Sequence, residues 1–265
     1  MNIVLRELNA HRKSLIIWSA SMIFFILAGM MKYSGYANAG VSVEALLDSL
    51  PPAVKVIMGL GVFDLTKVAG FYGVFFLYFV LLGTVHAVML GATIISKEER
   101  DKTADFLLVK PVKRSKVVTA KLAAAIINVI ILNIVTLVTS IINVEMYNDG
   151  KPIHDEILKL MAVLFIFQLL FLSIGLVIGV LTRSTKKATG LSTAVLLSTF
   201  MLSVIIDLYD KLDFLKYLTP FKYFESKNIM FGGKLDPLYV GLTIIIIAIC
   251  TGLTYSQYQK RDIHV

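Results

Sequence analysis

Six apolar runs dominate this chain, covering residues 15–31, 70–95, 117–142, 158–181, 188–206 and 238–258. A hydrocarbon layer about 30 Å thick takes roughly 20 residues of helix at about 1.5 Å per residue. Inside such a layer every backbone N–H and C=O must be satisfied by the protein itself, and runs rich in Leu, Ile, Ala, Gly and Met achieve that as helices. Membrane barrel strands would instead show about ten residues of apolar–polar alternation. The expected fold is therefore an all-α integral membrane protein with six transmembrane helices, in one transmembrane domain covering residues 1–265. A charged fraction of 17% and a mean hydropathy of +0.79 agree, because a water-soluble chain keeps a larger polar share.

The run from Leu15 is longer than the apolar region of a cleaved signal peptide and is followed by no small-residue cleavage site, so it is expected to stay as a first span. Cys250, the only cysteine, lies inside the last run. That excludes an intrachain disulfide and a cysteine-based metal site.

Six spans put both termini on one side, together with the segments around residues 96–116 and 182–187. That side carries sixteen of the 26 basic residues, including Arg6, Arg12, Arg100, Arg114, Arg183 and Arg261, against six acids. Its balance is +10, while the opposite side holds ten bases and twelve acids, a balance of −2. The excess of Lys and Arg predicts a multi-pass protein of the cell membrane with both termini cytoplasmic. The overall charge of +8 is then accounted for by topology and by attraction to anionic lipid heads, without a nucleic-acid partner. Trp18, near the cytoplasmic start of the first span, suits an interfacial belt.

Before the first span, residues 1–14 set Ile3, Val4 and Leu8 against Arg6, Glu7, Arg12 and Lys13. This pattern predicts an amphipathic interfacial helix on the inner leaflet. In the first external loop, Leu46, Leu47 and Leu50 share a helical face until Pro51 and Pro52 break it. Residues 207–237, rich in aromatics and holding Gly232 and Gly233, predict a pair of short helices or a partly re-entrant hairpin before the last span.

The densest charge lies in "SKEERDKTADFLLVKPVKRSKVVTAK", residues 96–121. Alternating signs from Lys97 to Asp105, followed by Phe106, Leu107, Leu108 and Val109, predict a short helix that stops near Pro111. A second helix is expected to start at Ser115, with its side chain as a cap. Composition leaves two readings of this loop open. Its bases alone would fix topology, whereas its four interleaved acids and adjoining apolar cluster would present a face to a soluble partner.

Residues 91–121 resemble the cytoplasmic loop of type-2 ABC transporter permeases. Glu98 and Glu99 match that family's acidic pair, Thr103 its Thr, Leu107 and Leu108 its leucine run, and Pro111 its Pro. Arg114 and Ser115 match its turn in reversed order, and Lys121 the Lys opening the third span. Lys102 stands where the family usually has Gly. The resemblance implies that Glu98, Glu99, Arg100, Asp101, Lys102, Thr103, Asp105 and Phe106 form a coupling helix seated in a groove of a separate ATPase subunit. It further implies a transporter of two permeases, expected to be a homodimer, and two ATPases.

The chain has no G-x-x-x-x-G-K-[ST] phosphate loop, so ATP and Mg²⁺ are expected on the partner ATPase and this chain is expected to be a transport subunit and not an enzyme. Asn128, Asn133 and Gln168 within the runs read as interhelical glue, and His86 as a satisfied packing histidine. Scarce charge near the membrane midplane argues against an ion-coupled carrier or channel, the main alternative. An intramembrane protease using Glu-Glu-x-x-x-Arg is disfavoured because Thr occupies position 103 and no later span holds a His. A pathway lined by aliphatic, aromatic and small polar residues suits export of an amphipathic or hydrophobic cargo such as a peptide.

Overall fold

The computed structural model describes residues 3–39, 49–60, 63–100, 113–148, 150, 152–182, 184–230, 233 and 235–260. In chain order its helices are α1 (Ile3–Ala39), α2 (Pro52–Ile57), α3 (Val68–Arg100), α4 (Arg114–Tyr147), α5 (His154–Leu181) and α6 (Thr185–Leu208). Two 3₁₀ segments (Asp210–Leu218 and Pro220–Lys222), α7 (Ser226–Met230) and α8 (Pro237–Lys260) complete the order. Among the described residues there is no strand, and six helices, α1, α3, α4, α5, α6 and α8, are long and apolar enough to cross a membrane. The protein is an all-α, multi-pass membrane protein. Each expected apolar run lies within one of these helices, and each helix outlasts its run because intrahelical hydrogen bonding continues into the polar layer.

The pair α3–α5 forms the centre. In their most apolar windows 61% and 67% of residues are buried, against 22% in α1 and 11% in α8. Glycine makes the pairing possible. A Cβ on Gly175 would fall 2.3 Å from the Val88 carbonyl oxygen, and one on Gly91 would fall 2.4 Å from that of Leu172. Gly179, four residues beyond Gly175, has the same relation to Ala92 at 2.6 Å. This small-xxx-small spacing lets two backbones touch, which drives helix association where lipid competes for apolar side chains. Outward faces stay apolar, with Phe24, Ile134 and Ile142 exposed, as a lipid solvent permits.

Between α4 and α5, Asn133 Nδ2 donates to the Met161 carbonyl and to Gln168 Oε1, both at 3.2 Å, and so acts as interhelical glue. Asn128 does not, since its Nδ2 donates at 2.8 Å to Ala124 one turn back in the same helix. His86 is buried and meets the Trp18 ring edge-on at 5.6 Å between centroids. Trp18 thus packs on the bundle on one side and is half-buried. The His86 Nδ1 makes no hydrogen bond among the described residues, so this histidine is packed without being fully satisfied.

Three local expectations change. The N-terminal turns do not form a separate helix on the leaflet. They continue without a break into the first span, and Ile3, Val4 and Leu8 pack on the protein cluster containing Val117 and Val118. Ser115 is not a cap: α4 starts at Arg114, and Lys113 precedes it with no side-chain capping bond. Pro52 opens α2, which suits a residue whose missing N–H is an orphan at that position anyway. Leu46 and Leu47 lie outside the described residues. Between residues 207 and 237 the described residues hold three short helical pieces, two of them 3₁₀, where a pair of short helices or a partly re-entrant hairpin was expected.

The two ends of the bundle differ. On the terminal side, near Glu7 and Gln259, meet the end of α3 and the starts of α4 and α6. On the far side, Tyr33 Oη donates to the Thr66 carbonyl at 2.9 Å and His154 Nε2 lies 2.9 Å from Glu145 Oε1.

Candidate functional site

The charged loop is carried by two stems, the end of α3 and the start of α4. Lys121 sits two turns into α4 and is fully buried, which for an ammonium demands compensation from within the protein. Its Nζ donates to the Ile94 carbonyl of α3 and lies 3.7 Å from Glu7 Oε1 of α1. Glu7, itself buried, also accepts from Arg6 Nη2 at 3.0 Å and lies 4.0 Å from His11 Nε2. One lysine therefore fastens both stems to the first helix.

Other ties surround it. Thr185 Oγ1, at the start of α6, donates at 3.3 Å to the Ser96 carbonyl near the end of α3. Arg114 Nη1 donates at 2.9 Å to the Gln259 carbonyl of α8, and Thr119 Oγ1 lies 2.8 Å from Tyr255 Oη of the same helix. Within a few residues of the loop, its stems are bonded to α1, α6 and α8. A force on the loop has direct mechanical routes into those spans.

Of the eight residues expected in the loop, Glu98, Glu99 and Arg100 continue the backbone of α3. Asp101, Lys102, Thr103, Asp105 and Phe106 lie outside the described residues. The Glu7–Lys121 pair was missed by sequence reasoning, which placed Glu7 on a solvated face. Its one available signal was Lys121 as the only charged side chain in the run 117–142.

A family model described as "ABC-2 family transporter protein" matches residues 1–263, nearly the whole chain. The chain belongs to this family. It is thus a membrane permease subunit of an ABC transporter, and membership implies an ABC ATPase as partner. The permease is also similar to the uncharacterized membrane protein YdbK of Bacillus subtilis (strain 168). The two are 24% identical over 188 residues, which cover 67% of this chain and 76% of that protein.

Proposed function

We propose that this permease serves an ATP-driven exporter of an amphipathic or hydrophobic cargo such as a peptide. Residues 98–106 form the coupling helix that sits in a groove of the ATPase. Two permeases, as a homodimer, and two ATPases make the working unit, with the pathway at or near the permease interface. The terminal side faces the cytoplasm, a reading supported by its sixteen basic residues. ATP and Mg²⁺ bind to the ATPase, since this chain has no phosphate loop of its own.

The observation that carries the proposal is the concentration of ties at the loop stems, above all Lys121 bridging Ile94 and Glu7. When nucleotide binding closes the ATPase pair, the groove carries the loop with it, and the stems pass the displacement to α1, α6 and α8. Such a shift requires the nucleotide-bound ATPase to prefer one arrangement of the loop over the other. The acids Glu98, Glu99 and Asp101 supply the charge that the groove reads.

Charge reversal at these three positions tests the proposal in vesicles containing permease and ATPase. ATP hydrolysis is expected to continue while transport stops. Transport at the wild-type ratio to hydrolysis would overturn the assignment.

A further inference from the structure

We infer that the far side of the permease carries a binding site for a single-tailed cationic amphiphile, its head in a charged cleft and its tail in an adjoining apolar pocket. The inference rests on the export reading only where it makes this amphiphile a cargo.

The cleft, about 940 Å³, lies between the end of α6, the 3₁₀ segments, α7 and the start of α8. Among the described residues its three lysines already have carboxylate partners. Lys216 Nζ lies 2.6 Å from Asp213, Lys227 Nζ lies 2.8 Å from Glu225, and Lys222 Nζ pairs with Asp207 at 2.6 Å and also with Glu225. The cleft also holds Asp236, a fourth carboxylate, with no lysine partner among the described residues. Its Oδ1 accepts the Leu238 backbone N–H at the start of α8, at 2.9 Å. An entering anion meets lysines that are already neutralised. An entering cation meets a carboxylate that has no lysine partner among the described residues, beside the stacked rings of Tyr223 and Tyr239, whose centroids are 5.0 Å apart. Carboxylate and aromatic faces together favour a positive head.

The second space, about 240 Å³, shares Asp207, Lys222, Phe224, Glu225 and Lys227 with the cleft, so the two adjoin along that wall. It runs inward between α3, α5 and α6 as far as Val80 and Phe167. Its lining on α3 runs from Gly73 to Val80, about 10 Å of helix. Its inner walls are almost wholly apolar, with few partners for water's hydrogen bonds. A hydrocarbon tail fits that lining, and Lys222, held by two carboxylates, sits where head and tail would join. A membrane amphiphile entering from the outer leaflet and a cargo arriving through the transporter share this chemistry.

The test uses the permease–ATPase complex in phosphatidylcholine nanodiscs, titrated with radiolabelled dodecyltrimethylammonium below its micellar concentration and corrected with protein-free discs. Saturable binding of one probe per permease is expected, with dodecyl sulfate failing to compete. Asp236→Lys, a change on an exposed loop, is expected to weaken binding at least about fivefold. Ser203→Phe, which fills the apolar pocket, is expected to weaken it at least about tenfold. Should that variant fail to fold, butyltrimethylammonium tests the pocket on the unaltered protein and is expected to bind at least about tenfold more weakly than the dodecyl probe. Absence of a saturable component, equal competition by dodecyl sulfate, or wild-type affinity in Asp236→Lys would each overturn the site. Stimulation of ATP hydrolysis by the probe supports its being cargo. Saturable binding with an unchanged hydrolysis rate keeps the site and overturns its place in export.

Discussion

Both ends of the bundle use lysine–carboxylate pairs, but under opposite conditions. On the terminal side Lys121 and Glu7 are 0% and 3% exposed at their side chains and come from helices far apart in sequence. On the far side Lys222 is bracketed by Asp207 and Glu225, whose side chains are 39% and 19% exposed, and Glu225 is only three residues away. Water reaches the carboxylates of the second set, although Lys222 itself is 11% exposed, and does not reach the first. The buried pair therefore fixes how distant helices sit together, while the wet network shapes a surface and leaves it adjustable.

Breaking the buried pair is expected to have the largest effect. Lys121→Met leaves the buried Glu7 with Arg6 and His11 as its remaining partners and removes the donor to the Ile94 carbonyl, a loss of about 3 kcal/mol. The thermal unfolding midpoint of the purified permease should fall accordingly, and combining it with Glu7→Leu should recover part of the loss. A double variant as poor as the sum of the singles would show that the two residues do not act as a pair. Gly175→Leu comes next. Its Cβ meets the Val88 backbone at 2.3 Å, so α3 and α5 must separate, for about 1–3 kcal/mol by the same measurement.

The far-side network is expected to contribute about 1 kcal/mol or less, so Lys222→Met should barely move the unfolding midpoint. Burial opposes the Lys222 charge, but hydrogen bonds to Asp207 and Glu225 outweigh it and raise its pKa. Burial likewise opposes the Glu225 charge, and hydrogen bonds from Lys222 and Lys227 outweigh it and lower its pKa. The network's contribution is therefore complete between the ordinary values of 4.5 for the glutamate and 10.5 for the lysine. It is lost as pH falls through the lowered Glu225 value or rises through the raised Lys222 value. Lys222→Met should flatten that dependence in a pH series of unfolding midpoints. The smallest effect, about 0.5–1 kcal/mol, is expected for Thr119→Val, which removes the bond to Tyr255 at an exposed position.

The spans were legible because lipid imposes a length and a polarity that a sequence must display locally. Asn133 and Gln168 were legible for the same reason, as polar side chains in apolar runs that need partners. The Glu7–Lys121 pair was not, because nothing local joins residues more than a hundred positions apart. Glu7 sits among bases in a pattern that also fits a leaflet surface, and only the packing of α1 on α4 turns that face inward. The Gly175–Gly179 spacing was present in the sequence and is intelligible once Val88 and Ala92 stand opposite. The loop of residues 98–106 showed its charge pattern plainly, whereas the bonding of its stems to three other helices depends on tertiary structure.

Site-specific cross-linking tests the central claim most directly and sets the two ends against each other. Cys250 is the only cysteine, so Cys250→Ser provides a background free of thiols. In that background, Glu99→Cys on the terminal side and Lys216→Cys on the far side are each treated with a short thiol-to-amine cross-linker in membranes containing the ATPase. The account predicts a permease–ATPase adduct from Glu99→Cys, with a yield that changes when ATP is added, and none from Lys216→Cys. An adduct from the far side, or none from the loop in a complex that still co-purifies, would contradict it.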